Sequence, residues 1–295
     1  MLARRQHTLS APSRAPLALR RARRCHSVAA AASGAPVSLP DALVFDCDGV
    51  IAETERDGHR VSFNQAFAER DIPAEWSVER YGELLAIGGG KERMKADFEQ
   101  NESCKPFKSL QSDDDRWNLL KELHSLKTDK FLELVDNGQL PLRSGILRIV
   151  REAYDAGVPV AVCSTSNERA VQGIVSNLIP EPYSSSIRIF AGDAVKAKKP
   201  SPDVYNLAAS ELKLEPSRTV VVEDAQIGVQ AAKSAGMLCV VTKSVYTQDE
   251  DFSSANAVLD TLGDDNADDC VHLGDLTVPK GRFWSFEEKK ETEQS

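Results

Sequence analysis

Residues 42–55 read ALVFDCDGVIAETE, an apolar run that stops at two carboxylates, Asp46 and Asp48, and a glycine, Gly49. A short β-prone run ended by turn residues reads as a buried strand. Two acids at its end either cap a turn or hold a cation and do chemistry. The surrounding sequence decides between them. Four further runs have the same character: Val158–Cys163, Ile187–Phe190, Thr219–Val222 and Leu238–Thr242. They are nearly continuous and rich in branched residues, as expected of parallel strands covered on both faces. Helical spacing fills the gaps at Ser144–Ala156, Asn167–Leu178, Pro202–Leu212 and Gln226–Ala235. Gly157 and Gly236 stand where helix-ending residues belong. This rhythm predicts an α/β fold, a doubly wound parallel sheet.

One segment breaks the rhythm. Residues 56–139 hold no convincing strand, but RVSFNQAFAER, KERMKADFEQ and RWNLLKELHSLKTDKFLELVDNG carry helical apolar spacing. A crossover needs one helix, so the excess predicts an inserted helical domain joined to the core by two linkers, an arrangement that can act as a lid. The expected organisation is a core of 40–55 and 140–250, a helical insert of 56–139, and a C-terminal extension of 251–295, peripheral from Asp264 with a disordered tip.

Charge separates the first residues from the rest. Residues 1–40 hold seven arginines and no Asp or Glu, with abundant Ser and Ala. That composition predicts a transit peptide over 1–36, cleaved within SVAAAASG, with the chloroplast stroma as destination and the mitochondrion as the alternative organelle. Removing those seven charges from the formal −9 leaves −16 for residues 41–295. So acidic a body is a poor match for nucleic acid, which disfavours a basic binding arm. No run of 18 apolar residues is present, so no membrane span is expected. A monomer is expected. The six cysteines show no zinc spacing, and Cys47, Cys163 and Cys239 read as packing residues.

In an open parallel sheet the ligand lies beyond the carboxyl ends of the strands. There the sequence places Asp46 and Asp48, then Ser164, Thr165, Ser166 and Asn167, then Lys199 before Pro200, then Glu223 and Asp224. Four acids on one edge need a cation, and oxygen-only ligands favour Mg²⁺. A strand-end aspartate can form an aspartyl phosphate. Ser164 and the backbone N–H groups of the next helix can hold phosphate oxygens, with Lys199 as a point charge. The set fits phosphoryl transfer.

DCDGV, STSN, KKPSPDVY and VVVEDAQIG resemble, in order, the four motifs of the haloacid dehalogenase-like phosphatases, over roughly residues 40–242. The resemblance implies a Rossmann-like core with a helical cap. Asp46 would be the nucleophile and Asp48 the acid and base. Mg²⁺ would sit on the Asp46 carboxylate, the Asp48 main-chain oxygen and Asp224, with Glu223 close by or contributing. Ser164, Thr165 and Lys199 would bind the transferring phosphate. In the insert, AIGGGKERM occupies the place of the family's specificity loop, so Gly89, Gly90, Lys91 and Arg93 become candidates for a second phosphate. GVIAETERDGHR, IGGGKERM and CSTSNE look like the CbbY subgroup of sugar-bisphosphate phosphatases, which in photosynthetic organisms remove xylulose-1,5-bisphosphate, an inhibitory Rubisco by-product. By the same resemblance Glu53, His59, Tyr81, Ser166 and Asn167 are candidates for contacts to the sugar. The alternatives are a phosphomutase of the β-phosphoglucomutase kind and a non-catalytic phosphate-binding protein. A receiver domain is set aside, having neither a large insert nor a DxD pair.

Overall fold

The computed structural model describes residues 38–283, apart from 88, 102, 193, 266–269 and 279–280. The expected transit peptide and the expected disordered tip lie outside the described residues. Each predicted apolar run forms a strand: β1 Ala42–Phe45, β2 Val160–Cys163, β3 Arg188–Phe190, β4 Thr219–Glu223 and β5 Leu238–Thr242. A sixth strand, β6 Ala257–Leu259, was not foreseen. Three residues, the middle one exposed and its neighbours half-buried, carry too little apolar signal to be read as a strand. Every pairing is parallel, in the order β3-β2-β1-β4-β5-β6. The order reverses between β1 and β4, the switch point at which such sheets bind ligands.

Ten α-helices accompany the sheet among the described residues: α1 Arg60–Glu69, α2 Val78–Leu85, α3 Gly90–Gln100, α4 Lys105–Lys108, α5 Asp113–Asp136, α6 Ile146–Asp155, α7 Glu168–Leu178, α8 Tyr183–Ser186, α9 Asp203–Leu212 and α10 Gln226–Ser234. Local chemistry sets their ends. Ser77 accepts a hydrogen bond from the Arg80 N–H at the start of α2, and Asn167 accepts one from Ala170 at the start of α7. Asp113, Asp114 and Asp115 place negative charge at the positive end of α5. In α6 the buried stripe Ile146, Ile149, Val150 and Ala153 faces the sheet. No described helix is long and apolar enough to cross a membrane.

The sheet has an apolar cluster on each face. Helices α1 to α5 build a third, centred on Phe63, Phe67, Trp76, Tyr81, Met94 and Phe98. Each such side chain, fully buried, contributes about 1.5–3 kcal/mol, which gives the insert a core of its own. The long α5 leaves that core at its far end, where Phe131 and Val135 join the cluster on the sheet. The C-terminal extension needs correction. Leu262, Val271, Leu273, Leu276 and Val278 are buried in the main cluster, and Val278 bridges to Ser38. Scattered between acidic residues, they show no periodicity from which burial could be read.

Both linkers are fastened to the core. Ala52 bridges to Asp48 and to Leu142, and the Arg143 N–H donates to the Ile51 carbonyl. The Arg143 guanidinium donates to the carbonyls of Gly49, Thr242, Lys243 and Asp260, and it lies 3.4 Å from a Glu53 carboxylate oxygen.

Candidate active site

Strand register places the chemistry. Phe45 pairs with Val162 on one side and Val222 on the other, so Asp46 stands level with Cys163 and Glu223. The groups just past each strand then converge on a cavity of about 450 Å³. Asp46, Asp48, Thr165, Ser166, Lys199, Glu223 and Asp224 line its floor.

Lys199 organises the floor. Its ammonium donates to Asp46 Oδ1 at 2.5 Å, to Glu223 Oε1 at 2.8 Å and to the Cys163 carbonyl at 2.9 Å. Glu223 is 1% exposed, and its carboxylate is also held by the Tyr205 hydroxyl at 2.5 Å and the Asp224 N–H at 3.1 Å. Glu223 therefore anchors Lys199 while its carboxylate stays close to those of Asp46 and Asp224.

Asp48 is held by hydroxyls. Thr54 Oγ1 donates to one carboxylate oxygen at 2.6 Å, while Ser166 Oγ at 2.5 Å and Ser164 Oγ at 3.3 Å donate to the other. Gly49 turns the chain with φ 78°, and a Cβ there would fall 2.0 Å from Asp224 Oδ2. Only glycine allows the DxD turn to lie against that carboxylate.

The acids crowd. Burial, reinforced by Glu223 and Asp48 and opposed by Lys199, pushes the Asp46 carboxyl up to about 7. Burial, with Asp46 and Glu223 beside it, also raises Asp224. Oxygen atoms of Asp46, Glu223 and Asp224 lie within 4.8 Å of one another. Crowded carboxylates with only oxygen donors fit a hard divalent cation, whose charge offsets the burial and the mutual repulsion that raise both groups.

The insert supplies the roof, though not with every residue expected. Glu53 and His59 line the cavity, joined by Glu55, Leu85 and, from the core, Ser244, Tyr246 and Thr247. Tyr81 does not contact the cavity. It is wholly buried in the insert's core, and its hydroxyl donates to Glu55 Oε2 at 2.6 Å, so it orients Glu55 in place of touching sugar. Gly89 and Gly90 begin α3 away from the cavity. Lys91 lies over the Trp117 ring at 5.9 Å, and Arg93 donates to the Ile87 carbonyl and leans on Tyr81. Gly88 lies outside the described residues.

A second cavity of about 470 Å³ adjoins the first at Asp48, His59 and Ser166, and is lined further by Asn167, Arg169 and Lys127. Lys127 went unnoticed in the sequence, as one lysine among several on a helix with apolar spacing. It is 8% exposed, shares a 2.8 Å contact with His59 Nδ1, and forms no ion pair among the described residues. Burial, outweighing the nearby Glu55, brings its ammonium down to about 8. Burial and Lys127 together hold the His59 imidazole down to about 3, hence neutral. Thr54 and Glu55 were missed although they stand in the opening stretch, because a hydroxyl or acid just past a turn is common and carries no motif of its own.

Comparison with known proteins agrees with this geometry. The haloacid dehalogenase-like hydrolase family profile matches residues 40–236. A CBBY-like protein of Arabidopsis thaliana is 52% identical over 244 residues, covering 83% of this chain and 76% of that protein. Protein CbbY of Cereibacter sphaeroides is 37% identical over 225 residues, covering 76% and 93%. The crystal structure of CbbY from Rhodobacter sphaeroides in complex with xylulose-(1,5)bisphosphate superposes with a TM-score of 0.59 at 37% identity, covering 76% of this chain and 95% of that one. This chain belongs to the haloacid dehalogenase-like hydrolases, in their CbbY-like branch, and is a phosphoric monoester hydrolase.

Proposed function

We propose that the protein is a plastid Mg²⁺-dependent phosphatase that converts xylulose-1,5-bisphosphate to xylulose 5-phosphate and inorganic phosphate. The observation that carries the chemistry is the pairing of Asp46 with Lys199 at 2.5 Å, two residues before an Asp48 held by three hydroxyls. Asp46 Oδ attacks phosphorus and the bond to the sugar oxygen breaks. Asp48 gives that oxygen its proton. The Asp48 carboxylate then takes a proton from water, the water oxygen attacks phosphorus, and the bond to Asp46 breaks to release phosphate. Lys199 and Ser164 hold the transferring oxygens, with Thr165 at the rim. The Asp46 carboxylate, the Asp48 main-chain oxygen and Asp224 would hold Mg²⁺, with Glu223 behind them. When bound, the cation neutralises charge on the phosphoryl oxygens.

The substrate class rests on two supports. The CbbY structure that resembles this chain holds xylulose-(1,5)bisphosphate. The insert also brings cations near the second cavity: Lys127 lines it together with Arg169 of the core, and Arg93 is close enough to help lower both Lys127 and His59. Together they suit a second phosphate, while Glu53 and His59 suit the sugar between. The Arg-rich first forty residues support import into the plastid.

The test is phosphate release from a panel of sugar mono- and bisphosphates with and without Mg²⁺. Xylulose-1,5-bisphosphate should give the highest kcat/KM, and Asp46→Asn should abolish turnover while circular dichroism stays unchanged. Activity retained by Asp46→Asn would remove the nucleophile assignment. A monophosphate preferred over every bisphosphate would remove the substrate.

A further inference from the structure

The C-terminal extension carries a second constellation of reactive groups, separate from the phosphoryl-transfer floor. Cys270 Sγ lies 3.4 Å from His272 Nε2, and His272 Nδ1 lies 2.6 Å from Glu152 Oε1 on α6. A carboxylate only accepts, so Nδ1 carries the proton of that contact. In the neutral ring Nε2 then turns its lone pair to the Cys270 thiol, which donates. A nucleophile, a base and an acid that fixes the base's tautomer stand in line, the order that activates thiols in covalent chemistry.

The surroundings hold the line in place. Glu152 Oε2 accepts from the Leu273 N–H at 2.7 Å, and the His272 N–H donates to Asp275 Oδ2 at 2.8 Å. Val271 and Leu273 are buried, and Arg148 of α6 donates to the Val271 carbonyl at 2.8 Å. The extension is thus seated on α6 through Glu152 and Arg148, with the thiol at the seat. Accessibility singles out the same thiol. Cys47, Cys104, Cys163 and Cys239 are each 0% exposed, whereas Cys270 is half-buried, beside a His272 side chain that is 52% exposed. Burial raises the thiol above its ordinary range, with Arg148 opposing and Glu152, Asp265 and Asp275 adding to it. A thiol kept protonated attacks slowly unless a base takes its proton. His272 is placed to be that base.

We propose that Cys270, His272 and Glu152 form a covalent modification site that takes a small disulfide and, in doing so, releases the extension from α6. The Cys270 sulfur attacks one sulfur of the disulfide while its proton passes to His272 Nε2, and the S–S bond of the reagent breaks. A new S–S bond leaves half of the reagent on Cys270. The departing thiolate takes the proton from Nε2 and leaves as a thiol. The attached group cannot share the gap between Cys270 and His272, so the imidazole is displaced from Glu152.

The test uses the full chain carrying Cys25→Ser, which removes the cysteine outside the described residues. Its probe is dithiodipyridine, an uncharged disulfide that the acids near Cys270 do not repel and whose released thione absorbs light. One thiol should react fast, and peptide mass spectrometry should place it at Cys270. No fast phase, or one that maps to another cysteine, would overturn the site. His272→Ala should slow the fast phase roughly ten- to hundred-fold, the loss of a positioned base. A histidine that merely covered the thiol would give faster labelling when removed, so a rate equal to or above wild type refutes the triad. Should His272→Ala fail to fold by circular dichroism, Glu152→Gln decides by the same criterion, since it can still accept from Leu273 but no longer fixes an imidazolium. The labelled protein should melt roughly 3–10 °C lower, the loss of bonds to one carboxylate, and recover on reduction with dithiothreitol. A label that leaves the melting temperature unchanged would refute release of the extension.

Discussion

Lys127→Met separates function from stability at one position. The ammonium is buried between Phe63 and Phe131, 4.9 and 5.4 Å from their ring centres. It stands at about 8 in the folded protein against an ordinary 10.5. The difference corresponds to a penalty of about 3 kcal/mol at neutral pH, at about 1.4 kcal/mol per unit. Methionine keeps the length and the aromatic contacts but leaves His59 Nδ1 without its neighbour, which returns about 1 kcal/mol. The net expectation is a gain of about 1–2 kcal/mol at pH 7, or roughly 3–6 °C in melting temperature. The sign with pH follows. Between about pH 8 and 10.5 the unfolded chain holds a proton on Lys127 that the folded chain has lost, so wild-type stability rises through that window. The penalty is complete below about 8 and vanishes above 10.5. Urea unfolding of wild type and variant at pH 7 and pH 10 should therefore show an advantage for Lys127→Met that shrinks at the higher pH. Bisphosphate kcat/KM should fall at least tenfold in the same variant. A variant less stable than wild type at pH 7, or an advantage independent of pH, would refute the argument that Lys127 is a strained cation kept for an anion.

Two further outcomes concern the linkers. Thr54→Val removes a 2.6 Å hydrogen bond to Asp48; a bond to a charged group is worth about 1.5–3 kcal/mol, so kcat should fall about ten- to hundred-fold. Thr54→Ser should restore most of it, and steady-state kinetics on the three proteins decides. Arg143→Lys replaces a planar fork reaching four carbonyls and Glu53 with a single ammonium. It should destabilise by about 2–4 kcal/mol, read as a lower urea midpoint, with a higher KM for the bisphosphate because Glu53 loses its brace. A midpoint equal to wild type would show that the linkers are fastened without Arg143.

The strands and most core helices were legible within two residues, because a buried parallel strand is written as a continuous apolar run and a packed helix as a stripe. The floor was legible for a related reason: Asp46, Ser164, Lys199 and Glu223–Asp224 each follow or precede a recognisable element. The insert was visible as an excess of helix. Its working residues were less so. Tyr81 was expected at the sugar and lies instead beneath Glu55, since periodicity tells which residues face inward but not which inner face they reach. β6 and the buried residues of 262–278 escaped notice because a few apolar side chains in an acidic stretch look like a surface tail until another surface covers them.

The sequence by itself determined the sheet, the place of the catalytic edge and the type of chemistry, because those depend on local periodicity and on which residue follows a strand. Tertiary structure alone decided how charges are partnered. Glu223 became the anchor of Lys199, Lys127 became a buried cation beside His59, and Glu152 met His272 of the extension. Burial and proximity between residues tens of positions apart set these roles, and no short window of sequence contains either quantity. The stretch ALVFDCDGVIAETE spans both regimes. Its first half announces the strand and the aspartates, and its second half gains meaning only when Thr54 meets Asp48, Glu55 meets Tyr81 and Glu53 meets Arg143.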